Sequence, residues 1–308
     1  MDFTNPHDAP LAPFKPAVSS FYDAAVAKAF FKSCGRREQF AAGTTLFAEN
    51  EKSSRKGLFT KPINAELFNK PVIHRMYLLT EGVVELSAGG KLIDTARAGE
   101  VFGEMAVISE IPGSATPSAR SATATATTDC VGYSVDVTET EAGLNRTPEF
   151  ALMLMSVMFE RLRLLAARLA TRDVAKAKSG GQPVFDAATL AALEDKLERA
   201  TVVRFEGGRK IMREGQAGVS MYIVLEGGVS ISINDKIVEE LVAGGVFGEM
   251  ALVDQSPRTA SASARTDCVL LSINRDTLIA LVKADTAIGM AMMRCVADRI
   301  RYMNSLFL

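Results

Sequence analysis

An acid and an arginine stand nine residues apart, as Glu249 and Arg258, in the stretch Val246-Phe247-Gly248-Glu249-Met250-Ala251-Leu252-Val253-Asp254-Gln255-Ser256-Pro257-Arg258-Thr259-Ala260-Ser261. A carboxylate accepts hydrogen bonds from hydroxyls, and a planar guanidinium grips two oxygens of one phosphate. A tight loop aiming both inward suits a small ligand with hydroxyls at one end and a phosphate at the other. Glycine lets the backbone approach such an anion closely, and the N–H groups opening a helical turn complete the cradle. The candidate ligand-binding residues here are Gly248, Glu249, Met250, Ala251, Arg258 and Thr259. The string recurs upstream as Val101-Phe102-Gly103-Glu104-Met105-Ala106-Val107, with Arg120-Ser121-Ala122-Thr123 after it. That copy adds Gly103, Glu104, Met105, Ala106, Arg120 and Ser121 as candidates.

Both strings are positioned by an internal repeat. Tyr77, Glu81, Gly82, Gly99, Phe102 and Gly103 return as Tyr222, Glu226, Gly227, Gly244, Phe247 and Gly248, each 145 residues on. From Arg120 the offset falls to 138, so that Asp129-Cys130 matches Asp267-Cys268 and Glu160-Arg161-Leu162-Arg163 matches Asp298-Arg299-Ile300-Arg301. The first copy therefore holds seven extra residues between its acid and its arginine, where Ile111-Pro112-Gly113 and Pro117 must fold a wider loop. A second excess lies between Glu49 and Tyr77, in a Lys-rich insertion that reads as a surface excursion.

The elements around the strings alternate between β-type and helical patterns. Short runs at Ala41 to Phe47, Met76 to Leu79, Val83 to Leu86 and Lys91 to Ala96 read as strands, with Glu81-Gly82 and Gly89-Gly90 as hairpin turns. Phe21 to Cys34 reads as a helix ended by Gly35-Arg36-Arg37, the cations suiting its C-terminus. Thr147-Pro148 starts another, whose stripe of Phe150, Met153, Leu154, Val157, Met158, Leu164 and Leu165 is expected to run to about Lys178. Asp186 caps the next, and a last helix starts near Asp285. The expected fold is mainly β with flanking helices, in two tandem domains each followed by a helix. Residues 1–20 form a disordered tail, 21–178 the first domain with its connecting helix, 179–185 a linker and 186–308 the second domain.

Composition narrows the function classes. A hydrophobic content of 48% with 23% charged residues describes a globular chain, and a net charge of -1 gives no pull toward nucleic acid or an anionic membrane. No run of eighteen apolar residues and no basic-then-apolar leader occurs, so a cytoplasmic location is expected. Cys34, Cys130, Cys268 and Cys295 are too dispersed for a metal knuckle or redox pair and are read as reduced and structural. His7 and His74 are the only histidines, too few for a catalytic metal in a β-roll, so no metal and no cofactor are expected.

On the Phe-Gly-Glu strings and the arginines that follow, the chain resembles the cyclic nucleotide-binding domains of the bacterial catabolite activator protein and of the regulatory subunits of cyclic-nucleotide-dependent kinases. The resemblance implies a cupin-like jelly-roll (β-roll) in each domain, with helices before and after it. It also implies that Glu249 accepts from the ribose 2′-hydroxyl, that Arg258 pairs with the cyclic phosphate, and that backbone N–H groups near Gly248 and Ala251 complete the cradle. Gly103, Glu104, Ala106, Arg120 and Ser121 are the equivalents in the first domain. The expected function is a non-catalytic receptor with two cyclic nucleotide sites, cAMP favoured as the commoner ligand of the family and cGMP kept open by Thr259 and Ser121. It would signal by helix rearrangement to a separate effector protein. The alternative is a scaffold or regulatory subunit whose first cassette no longer binds. A DNA-binding role is not expected, since no helix-turn-helix follows the last helix. The apolar end Leu306-Phe307-Leu308 leaves a homodimer open, and Tyr302 is expected to pack on the roll more readily than to close over a ligand.

Overall fold

Alternating apolar residues leave water by facing a second sheet, and the chain does this twice. The computed structural model describes residues 23–53, 72–111, 119–170, 183–197 and 202–305. Their contacts gather into two units, one from Ala24 to Gly143 and the other from Leu144 onward.

In the first unit α1 (Ala24–Cys34) precedes the roll. One antiparallel sheet runs β1 (Arg36–Phe40), β8 (Cys130–Val135), β3 (Met76–Glu81), β6 (Val101–Phe102). The other runs β2 (Thr45–Phe47), β7 (Thr123–Ala126), β4 (Val83–Ala88), β5 (Lys91–Arg97). Phe47, Tyr77, Val84, Phe102, Ala124 and Cys130 meet between them. The second roll repeats the order: β9 (Val202–Phe205), β16 (Cys268–Asn274), β11 (Ser220–Glu226), β14 (Val246–Phe247) in one sheet, and β10 (Lys210–Met212), β15 (Ser261–Ala264), β12 (Val229–Ile233), β13 (Lys236–Leu241) in the other. Val224, Val229, Leu241, Phe247, Ala262 and Cys268 fill its core. Cys130 and Cys268 thus occupy matching core positions, and all four cysteines are free thiols.

Several local expectations change. Arg36 and Arg37 do not end a helix but open β1, where pairing with Ser134 and Tyr133 of β8 outweighs the attraction of cations to a helix end. Gly89-Gly90 is a hairpin turn, closed by the Ala88–Lys91 pair. Gly82 is not: β3 and β4 lie in different sheets, and the glycine passes the chain between them. Each roll is followed by two helices, as the family resemblance implies: α3 (Val137–Leu144) and α4 (Glu149–Ala170) after the first, α7 (Arg275–Ala284) and α8 (Thr286–Ser305) after the second.

The helix α4 packs within the second unit. Every side chain from Phe150 to Phe159 is buried, so this half is apolar all round rather than striped, whereas Leu164, expected in the stripe, is exposed. It lies against α8 so closely that a Cβ on Gly289 would stand 3.1 Å from that of Ala151. The linker also has structure: Val184 and Phe185 are buried, and their N–H groups donate to the Gly244 carbonyl. Asp186 then caps α5 (Ala187–Lys196) by accepting from the Thr189 N–H at 2.8 Å. The expected tail, the helical continuation to Lys178 and the last three residues lie outside the described residues. No described helix is long and apolar enough to cross a membrane.

Candidate functional site

Pairing across the sheet delivers each cassette. Phe102 faces Tyr77 and Phe247 faces Tyr222 on neighbouring antiparallel strands, with ring centroids 5.3 and 5.2 Å apart. The next residue, Gly103 or Gly248, turns the chain at φ 75° or 81°, into the left-handed region that a side chain resists. A short helix follows at once, α2 (Glu104–Ile108) or α6 (Glu249–Asp254), whose first-turn N–H groups have no partner within the helix.

Both arginines sit in the same frame. Arg258 donates from Nη1 to the Gly248 carbonyl at 2.6 Å and from Nη2 to the Ser220 carbonyl. Arg120 donates from Nη1 to the Gly103 carbonyl at 2.9 Å and from Nη2 to the Arg75 carbonyl at 2.8 Å. Their main chains are pinned alike, the Arg258 N–H on the Gln216 carbonyl and the Arg120 N–H on the Glu51 carbonyl. The seven-residue excess of the first cassette therefore leaves Arg120 in register with Arg258. Burial lowers the pKa of both guanidiniums, opposed at Arg258 by Tyr222 and Glu249 and at Arg120 by Tyr77, Glu51, Glu104 and Glu110. Both remain cations, because an arginine starts far above neutrality.

In the second unit one cavity gathers all six candidates, Gly248, Glu249, Met250, Ala251, Arg258 and Thr259. Counting its open mouth it encloses about 770 Å³. The Thr259 hydroxyl is buried there without a hydrogen-bond partner. In the first unit Gly103, Glu104, Met105, Ala106 and Arg120 likewise adjoin, and Glu104 is buried. Ser121, the counterpart of Thr259, is exposed. Arg120 also stacks on Phe47, 3.9 Å from its ring centre, whereas Met212 at the equivalent strand position lines the second cavity.

Sequence reasoning missed the helical wall. Arg299 of α8 donates to Glu249 Oε1 at 2.5 Å, to Glu239 Oε2 at 3.1 Å and to the Val246 carbonyl. Burial alone would lower its pKa; Cys295, Glu239 and Glu249 raise it above the ordinary value on balance. Cys295, one turn earlier, has its thiol pushed up to about 12 by desolvation. Tyr302 and Met303 line the cavity, as do, from α4, Leu162 and Ala166. A signal existed for Arg299, since the repeat places an arginine at the matching point of both long helices. None marked Leu162 or Ala166, which look like ordinary core residues.

His74, assigned from sequence to a surface insertion, is fully buried. Its Nε2 lies 3.2 Å from the Glu51 carbonyl that also receives the Arg120 N–H, and its Nδ1 lies 3.2 Å from Glu110 Oε1. Among the described residues no group of three or more His, Cys, Asp or Glu is arranged to hold a metal.

Comparison with known proteins fits this geometry. The family model for the cyclic nucleotide-binding domain matches residues 68–146 and 202–285, together more than half of the chain. A cAMP-dependent protein kinase regulatory subunit of Eremothecium gossypii is 28% identical over 200 residues, 65% of this chain and 38% of that protein. A cyclic nucleotide-gated potassium channel of Rhizobium etli is 38% identical over 91 residues, 30% of this chain and 25% of that one. The chain thus spans well under two thirds of these relatives. Among solved structures, the catabolite activator protein of Thermus thermophilus is 26% identical, with 40% of this chain and 61% of that chain covered, at a TM-score of 0.35.

Proposed function

Because the chain belongs, in two tandem copies, to the family of cyclic nucleotide-binding domains, we propose that it is a receptor that binds a cyclic nucleotide in each roll and passes occupancy to a separate protein through its helices. One observation carries the reading: the six second-cassette residues converge on a single cavity whose buried Thr259 hydroxyl lacks a partner. A ligand with a cyclic phosphate beside Arg258, a ribose hydroxyl on Glu249 and a polar base edge near Thr259 uses all three. Arg299 joins Glu249 to α8, so a ligand that engages Glu249 also bears on that helix. The chain is read as a receptor rather than a catalyst, because Glu249, Arg258 and Arg299 are committed to carbonyl bonds and ion pairs with one another's elements. The kinase regulatory subunit and the gated channel among its relatives favour an effector of another kind, reached in trans or through a longer chain. cAMP is the favoured ligand and cGMP the competitor.

The second reading, that only the second roll binds, draws on Phe47 covering Arg120. Calorimetry with cAMP and cGMP on the native chain, Arg120→Ala and Arg258→Ala separates the two. Removing a buried charge partner costs about 2–5 kcal/mol, some thirty- to several-thousand-fold in affinity. Two sites, each lost with its own arginine, support the receptor in full. One site lost only with Arg258 supports the second reading. Absence of binding by the native chain at millimolar nucleotide overturns both.

A further inference from the structure

The cavity of the second roll is closed by a helix that the roll itself does not supply. Leu162 and Ala166 lie one turn apart on α4, hence on one face, and both line the cavity. They are 5% and 3% exposed, so they are seated there rather than brushing the rim. The helix is held by close packing of Ala151 on Gly289 of α8 and by the Lys283–Glu149 ion pair of 3.0 Å. The charged groups of the cavity, Glu239, Glu249, Arg258 and Arg299, come from β13, the cassette and α8. What α4 adds is aliphatic surface alone.

We propose that Leu162 and Ala166 are specificity-determining residues of the second site, forming an apolar roof from the helix that follows the first roll and selecting a flat, unsubstituted base. This rests on the receptor reading above. The reason lies in the division of chemistry. Phosphate and ribose engage the guanidinium and the carboxylate, so the group left to meet an aliphatic surface is the ring farthest from the phosphate. A leucine and an alanine one turn apart offer dispersion contact to such a face and no hydrogen bond, so they discriminate by shape. A bulky group on the base collides with them, and a cavity in their place admits it. The packing of Ala151 on Gly289 keeps α4 from receding, which turns a soft wall into a filter.

The experiment uses the full chain and calorimetry with cAMP, cGMP and an analogue carrying a benzyl group on the base amino nitrogen. The second-site signal is the one that Arg258→Ala removes. Leu162→Ala is expected to shift the ratio of analogue to unmodified affinity at that site about tenfold toward the analogue, the scale on which pocket methylenes discriminate. Ala166→Trp, which fills the roof, is expected to weaken the unmodified nucleotide at that site at least about tenfold. Thermal melting and circular dichroism confirm folding; should Ala166→Trp fail to fold, the ratio in Leu162→Ala decides. An affinity ratio within about twofold of the native chain in Leu162→Ala, with binding still lost in Arg258→Ala, overturns the roof while leaving the receptor standing. A native chain that binds no cyclic nucleotide overturns both together.

Discussion

Gly248 is required on two counts. Its φ of 81° disfavours any side chain, and a Cβ there would stand 2.7 Å from Arg258 Nη1. Gly43 shares the positive φ, at 84°, but faces open space. Gly248→Ala is therefore expected to cost about 1–3 kcal/mol in urea unfolding and to weaken second-site binding, while Gly43→Ala costs about 1 kcal/mol and leaves binding alone. Arg299 is the other residue on which the site turns, because it neutralises Glu249 and Glu239 together. Removing it in Arg299→Ala leaves two neighbouring carboxylates without their shared cation, a change worth about 3–5 kcal/mol when fully buried. The partial exposure of Glu239 brings the expected loss to the lower end of that range. Denaturant melts of Arg299→Ala beside Glu239→Gln/Arg299→Met test this, the double change being expected to recover part of the loss.

At the scale of elements, the strands and cassettes were legible from sequence because their rules are local. Glycine after a paired phenylalanine, an acid opening a turn and an arginine before small residues each leave a mark within a few positions. The failures were non-local. Arg36 and Arg37 suit a helix end until β8 arrives to pair with them, and Gly82 resembles a hairpin until its two strands prove to lie in different sheets. His74 is the clearest case. Its counterpart Val219 is 79% exposed, so the repeat predicts a surface position, yet His74 is buried where the longer first cassette needs support. The imidazole ties the Glu51 carbonyl, and with it the main chain of Arg120, to Glu110. His74→Val, which installs the residue of the second roll, is expected to lower first-site affinity about tenfold, or about 1.4 kcal/mol. Second-site affinity should stay unchanged, and calorimetry in an Arg258→Ala background reads the first site alone. Equal affinity with and without the imidazole would show that the cassette holds Arg120 unaided.

At the scale of the whole molecule, the change of offset from 145 to 138 exposed the duplication and localised the difference between its copies. It could not reveal that α4, read from sequence as the tail of the first domain, packs in the second unit. A buried helix carries no address in its own pattern, and Leu162 resembles any core leucine until the helix it meets is known. Cys295 makes the seating of these helices measurable. Its thiol lies beside Arg299, Glu239 and Glu249, with a pKa pushed up to about 12. Only the thiolate attacks an alkylating reagent, so at neutral pH the residue reacts far more slowly while α8 is docked. Each undocking exposes an ordinary cysteine of pKa about 8.5. The alkylation rate of Cys295, followed by mass spectrometry against a denatured control, therefore counts those openings. Cyclic nucleotide is expected to slow it; labelling as fast as in the denatured chain, with or without nucleotide, would mean that α8 does not hold its place. A sulfur with no part in binding thus becomes a clock for the helix.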